Sequence, residues 1–278
     1  MNVGKVLLIE GAVNLMVTVA KATVGVSTGS MALLADAFHS ITDLVNNLIT
    51  YLLHRVARKP ADSSHPYGHR KFEYLGIFVL ALLLCVVAVE LIINVIFRVQ
   101  EPPTQSTLGL IVIIGSMVAS FAVSLFERYW GKKLNAMLLL ADAKHTFADT
   151  LTTVAAIVGW QAALLHVAWL DKAVALVIVA IVLYMAYGLF KQAIPVLVDQ
   201  AMVNEASLSK VALGVPGVKA VGQVRSRSTG KGTAVDISVE VDAQLSTKAS
   251  HDIANELEAT LIACFDLVDV LVHIEPHE

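Results

Sequence analysis

A helix that crosses hydrocarbon needs about 20 consecutive, mostly apolar residues, and six stretches of this chain meet or approach that length. They are residues 6–26, 31–53, 74–97, 108–126, 138–169 and 173–190, the fifth being longer than a single span requires. Six such stretches leave too much apolar surface for a water-soluble fold to bury. Composition agrees: 56% of the 278 residues are hydrophobic and 15% charged, against roughly 25% charged in soluble domains, and mean hydropathy is +0.71. The expected solvent is the bilayer. A net charge of −3 argues against nucleic acid as a partner. Cys85 and Cys264 lie in unlike contexts and suggest neither a disulfide framework nor a zinc ribbon. The first apolar stretch contains Glu10 and Lys21 and is read as a span, not a signal peptide.

Connections between the stretches indicate orientation. Arg55, Arg58, Lys59, Arg70 and Lys71 lie between the second and third, and Arg128, Lys132 and Lys133 between the fourth and fifth. The opposite links are poor in basic residues, with none in 27–30 and Arg98 beside Glu101 in the next. Basic loops stay cytoplasmic, so a multi-pass protein of the cell (inner) membrane is expected, with six spans and both termini inside. After Pro195 the pattern changes. Residues 218–226 and 233–241 alternate like strands, 247–264 reads as a helix, 268–274 as a last strand, and 205–213 as a short helix. The expected architecture is a six-helix transmembrane α-bundle over residues 1–199. A small cytoplasmic α+β domain of order αββαβ follows over 200–278.

Two apolar stretches share an internal repeat. Residues 33–43 read LLADAFHSITD and residues 139–149 read LLADAKHTFAD, with seven of eleven positions identical at an offset of 106 residues. Side chains four apart share a helix face, so His39 can act with Asp43, and His145 with Asp149. At about 1.5 Å per residue, His39 lies about 12 Å from the outer end of its helix and His145 about 13 Å from the inner end of its own. Antiparallel pairing then sets His39 level with Asp149 and Asp43 level with His145. Two imidazoles and two carboxylates suit a tetrahedral zinc-type site. Ionisable residues in mid-membrane can be structural pairs, but a duplicated set of four ligand types favours function. A divalent cation makes that set neutral, and its departure leaves two negative charges that protons can cover. Such a site fits exchange of metal for protons.

These features resemble the cation diffusion facilitators: six spans, H-x-x-x-D in the second and fifth, and a cytoplasmic αββαβ domain. The resemblance implies that His39, Asp43, His145 and Asp149 form a transport site. It also implies zinc as the preferred substrate, with cadmium, cobalt or ferrous iron as alternatives, and a homodimer exchanging metal for protons. The C-terminal domain would be metallochaperone-like (ferredoxin-like) and would bind metal at the dimer interface.

The loop 62–69 holds Asp62, His65 and His69. By itself it reads equally as a solvated loop, but the family pattern D-x-x-H-x-x-x-H implies a second metal site. In the tail, His251 opens a helix, His273 and Glu275 share a strand face, and Asp236 and His277 could join them. Gly222 and Ser238 stand where relatives often place histidines. A weaker site of Asp236, His251, His273 and either Glu275 or His277 is therefore expected. Asp36 and Asp142 precede the histidines by three positions. They take either a supporting or proton-path role near the site, or a structural pairing for which Lys144 is one candidate. The resemblance implies a domain interlock between Lys71 and Asp199. Glu10, Glu90, His54 and His166 are read as interfacial. A competing reading as an intramembrane metalloenzyme lacks an H-E-x-x-H motif and an open coordination position. A non-transporting, metal-binding scaffold has no need for the buried quartet.

Overall fold

The computed structural model describes residues 1–28, 31–97, 107–164 and 168–277. Six long helices come first: α1 (Val3–Thr28), α2 (Met31–Ala57), α3 (Lys71–Phe97), α4 (Thr107–Lys133), α5 (Met137–Leu164) and α6 (Ala168–Leu197). The shortest has 26 residues, about 39 Å of helix, which exceeds the roughly 30 Å of a bilayer core. Among the described residues, α1, α3, α4 and α6 are long and apolar enough to cross a membrane. The helices that carry the repeat, α2 and α5, are not among those four. The expected fifth stretch, 138–169, divides between α5 and α6. His166, Arg98 and Glu101 lie outside the described residues.

The helices distribute side chains in a way that water would not favour. Leu8, Met16, Val19, Leu48, Ile111, Val118 and Tyr184 face outward, while Glu10, Lys21, Asn46, Glu127, Asp142 and His145 are buried. Apolar faces outward and ionisable groups inward are what hydrocarbon solvent selects. Helix α1 packs against α2 and α4, and α4 packs along α5. A Cβ on Gly131 would stand 2.8 Å from Leu140 Cδ2, so glycine permits the close α4–α5 approach. Phe78 and Phe190 meet edge-to-face at 5.3 Å and tie α3 to α6. Helix α4 ends on Asn135 at φ 49°, where the Ala136 N–H donates to the Gly131 carbonyl. Lys133 lies over the Trp130 ring at 4.9 Å, the amphipathic pairing typical of a membrane boundary.

Two compact units are present. The first is Met1–Lys59 with Leu75–Ala193, and the second is Pro60–Tyr74 with Ile194–Glu278. The second unit contains α7 (Glu205–Ala212), β1 (Val218–Ser228), β2 (Thr233–Asp242), α8 (Thr247–Phe265) and β3 (Leu267–His277). That is the expected αββαβ order. The sheet runs β1-β2-β3, with β1 antiparallel and β3 parallel to β2. Asn204 caps α7 by accepting from the Ala206 and Ser207 N–H groups, and Ser246 caps α8 by accepting from Ala249. Along β2, Val235, Ile237 and Val239 point inward against Leu208, Leu257 and Leu261, while Asp236, Ser238 and Glu240 are only partly buried.

Candidate metal centre

The repeated segments on α2 and α5 bring three ligand types together. Nitrogen or oxygen atoms of His39, Asp43 and Asp149 lie within 4.8 Å of one another, and all three residues are partly buried. They border a polar cavity of about 40 Å³, which Asn14, Lys21, Asp36, Ser40, Ser116 and Thr152 also line. The fourth expected residue, His145, stands alongside. Its Nε2 is 3.9 Å from Asp149 Oδ2 and 3.4 Å from the Asn46 amide nitrogen. If the amide donates there, it covers the lone pair that a metal would use, so a small movement of Asn46 frees His145. One imidazole and two carboxylates, with a second imidazole beside them, can hold a borderline divalent cation at low net charge.

Lys21 was recognisable in the sequence only as a charge in the first apolar stretch. In the structure its ammonium lies 3.0 Å from Asp36 Oδ2 and donates to Ser40 Oγ at 3.0 Å. Asp36 therefore pairs with Lys21 on the cavity wall, not with Lys144. A lysine in mid-span requires such an acidic partner, and that need was the available signal. Asp142 lies in a different group, with Glu10 and Glu127. Glu10, expected at an interface, is 1% exposed inside the first unit. Counting along a helix locates depth but not which face turns inward.

The loop residues converge. Ligand atoms of Asp62, His65 and His69 all lie within 4.8 Å of each other. Asp62 Oδ1 accepts from Ser64 Oγ at 2.8 Å, from Ser64 N at 3.0 Å and from His65 N at 2.7 Å. These donors, the Ser64 hydroxyl foremost, hold the Asp62 carboxyl down at about 2. His69 Nδ1–H donates to the Pro60 carbonyl at 3.0 Å. Its Nε2 is then the free lone pair, 3.5 Å from Asp62 Oδ2, which is the tautomer that metal ligation needs. The His65 and His69 rings approach to 4.3 Å.

The loop belongs to the second unit through contacts that the sequence does not announce. The Arg227 guanidinium lies over the Tyr67 ring at 5.2 Å. Lys71 Nζ donates to Asp199 Oδ1 at 2.6 Å, with Asp199 at φ 54°. Lys71 and Asp199 thus meet within the second unit.

The expected tail residues do not gather within one chain. Asp236 accepts from Arg227 at 2.9 Å and lies 3.8 Å from Arg225, which compensates its charge. His273 is 3.7 Å from Glu275, while His277 Nδ1 meets Glu240 at 2.6 Å. His251 is exposed on α8. Ser238 Oγ accepts from Gln223 N at 2.8 Å and occupies the space that a side chain on Gly222 would require.

Comparison with known proteins bears on both units. The cation efflux transmembrane domain matches residues 7–198, and the cation efflux protein cytoplasmic domain matches residues 202–277. The manganese efflux system protein MneS of Bacillus subtilis (strain 168) is 28% identical over 275 residues, covering 98% of this chain and 94% of that protein. A cation-efflux pump, FieF, of Pectobacterium carotovorum is 28% identical over 253 residues, covering 90% and 84%. The magnetosome protein MamM of Paramagnetospirillum magneticum is 30% identical over 257 residues, covering 90% and 80%. These matches, with the apolar helices described above, mean that the chain is a membrane protein of the cation efflux family, the cation diffusion facilitators.

Proposed function

We propose that this chain exports divalent metal from the cytoplasm in exchange for protons, with zinc as the preferred substrate. The observation that carries the reading is the convergence of His39, Asp43 and Asp149 from two repeated helices on one polar cavity, with His145 beside Asp149. A divalent ion with two carboxylates and two neutral imidazoles sums to zero charge, which a low-dielectric environment tolerates. When the ion leaves, protons compete for the same groups and restore neutrality. Alternation between the two states on opposite sides of the membrane is antiport. In this reading α1–α6 all span the inner membrane with both termini cytoplasmic. The chain works as a homodimer held by its C-terminal domain. Asp62, His65 and His69 bind metal in the loop, and Lys71 with Asp199 holds the loop to that domain.

The kinship with a protein named for manganese efflux makes manganese the competing substrate. Two imidazoles favour zinc, whereas an oxygen-rich set would favour manganese. The deciding experiment is uptake of radioactive zinc into inverted vesicles under an imposed pH gradient, with excess manganese or cadmium added. Gradient-dependent zinc uptake that manganese competes with only weakly is the expected outcome. Strong inhibition by manganese would reassign the substrate. No uptake by intact dimer would favour a metal-binding scaffold.

A further inference from the structure

A second acidic cluster lies apart from the metal centre. Glu10 on α1, Glu127 on α4 and Asp142 on α5 are 1%, 0% and 1% exposed, and carboxylate oxygens from all three lie within 4.8 Å of one another. With all three ionised, no oxygen of the three carboxylates accepts a well-formed hydrogen bond among the described residues, and the polar side chains nearest them are one another and Thr146. The charged groups acting most strongly on them are one another, with Asp43 from α2 and Asp149 from α5, all of them acidic. The neighbouring Thr146 hydroxyl donates to the Asp142 carbonyl at 3.2 Å.

Three ionised carboxylates cannot share a dry pocket without a cation, because close like charges and lost hydration both oppose ionisation. Protons resolve this with no further ligand. A protonated carboxyl is a donor, so about two protons turn three acceptor-only groups into a closed hydrogen-bonded set. Two protons or one divalent metal would each leave one negative charge, but a third proton can neutralise the set where the metal alone cannot. A hard ion that takes about six oxygens would also have to engage both oxygens of all three carboxylates at once. The metal centre borders a cavity, whereas these three side chains are fully enclosed. We propose that Glu10, Glu127 and Asp142 form a proton-binding site inside the helical unit, separate from the metal centre, that joins α1, α4 and α5 when protonated. Because α5 also carries His145 and Asp149, a shift of α5 on metal release would disturb the triad. That link rests on the antiport reading; the proton site itself does not.

The test is infrared spectroscopy of the full-length protein in lipid at about pH 7, comparing wild type with Glu127→Gln and Asp142→Asn. Both amides preserve shape and supply a donor, so a variant that misfolds does not decide the outcome alone. The expected spectrum contains the carbonyl stretch of protonated carboxyl groups, and that band loses intensity in both variants while zinc binding persists. Absence of the band, or an unchanged band in both variants, would overturn the proposal. So would manganese bound by the wild type and lost in both variants, since the occupant would then be a metal. A protein that shows the expected band changes but moves no metal would contradict antiport and leave the proton site standing.

Discussion

In the proposed transport site His39 is one of two imidazoles that favour zinc over harder ions. Replacing it with aspartate keeps a ligand one turn from Asp43 but makes the set harder and more negative. His39→Asp should therefore transport manganese or cadmium better relative to zinc, measured by competition in vesicles; an unchanged ranking would mean that His39 does not touch the ion. Asp62 invites a different measurement. Its carboxyl lies at about 2, below the ordinary 3.8, chiefly because the Ser64 hydroxyl donates to it. Its contribution to the folded loop is complete above the ordinary carboxylate range and is lost as pH falls through about 2. Ser64→Ala should move the Asp62 titration upward in an NMR pH series, and no movement would contradict the assigned cause. His39, Asp43 and Asp149 were legible because a repeat repeats its ligands. Lys21, Asn46 and Glu127 were not, since each is a single residue whose partner sits on another helix.

The elements were legible wherever periodicity was strong. Alternation in 218–226 and 233–241 foretold β1 and β2, and the apolar stretches foretold α1–α6, with the division near 165 hidden by continuous hydrophobicity. What the sequence concealed was that the loop Pro60–Tyr74 packs with the C-terminal unit. The Tyr67–Arg227 contact joins residues 160 positions apart, and no local pattern encodes it. The turn between β1 and β2 depends on Gly230, which has φ +82° and faces Arg70 so closely that a Cβ would stand 2.8 Å from Arg70 Cβ. Gly230→Val should cost about 1–3 kcal/mol of stability from backbone strain alone. It should also weaken metal binding at the proposed Asp62, His65 and His69 site, because the turn that abuts the loop must move. Thermal unfolding and metal titration of the purified protein check both effects, and unchanged values would mean that the turn does not support the loop.

Across the molecule, apolar side chains face outward from α1–α6 and ionisable ones face inward, so the first unit is built for a lipid surround and its charges are directed at one another. The second unit has its own apolar core and capped helices. All four proposed transport ligands belong to the first unit. That division was visible in the change of composition after Pro195, whereas the separate enclosure of Glu10, Glu127 and Asp142 emerged only from three-dimensional packing. The central claim is that metal crosses by way of His39, Asp43, His145 and Asp149. It is tested most directly by metal uptake into proteoliposomes bearing wild type, Asp43→Ala or Asp149→Ala, at matched insertion and dimer content. Each substitution removes one ligand and unbalances the charge of the site, so the account predicts that transport falls by at least about tenfold in both variants. Retention of most of the wild-type rate in either one would contradict it.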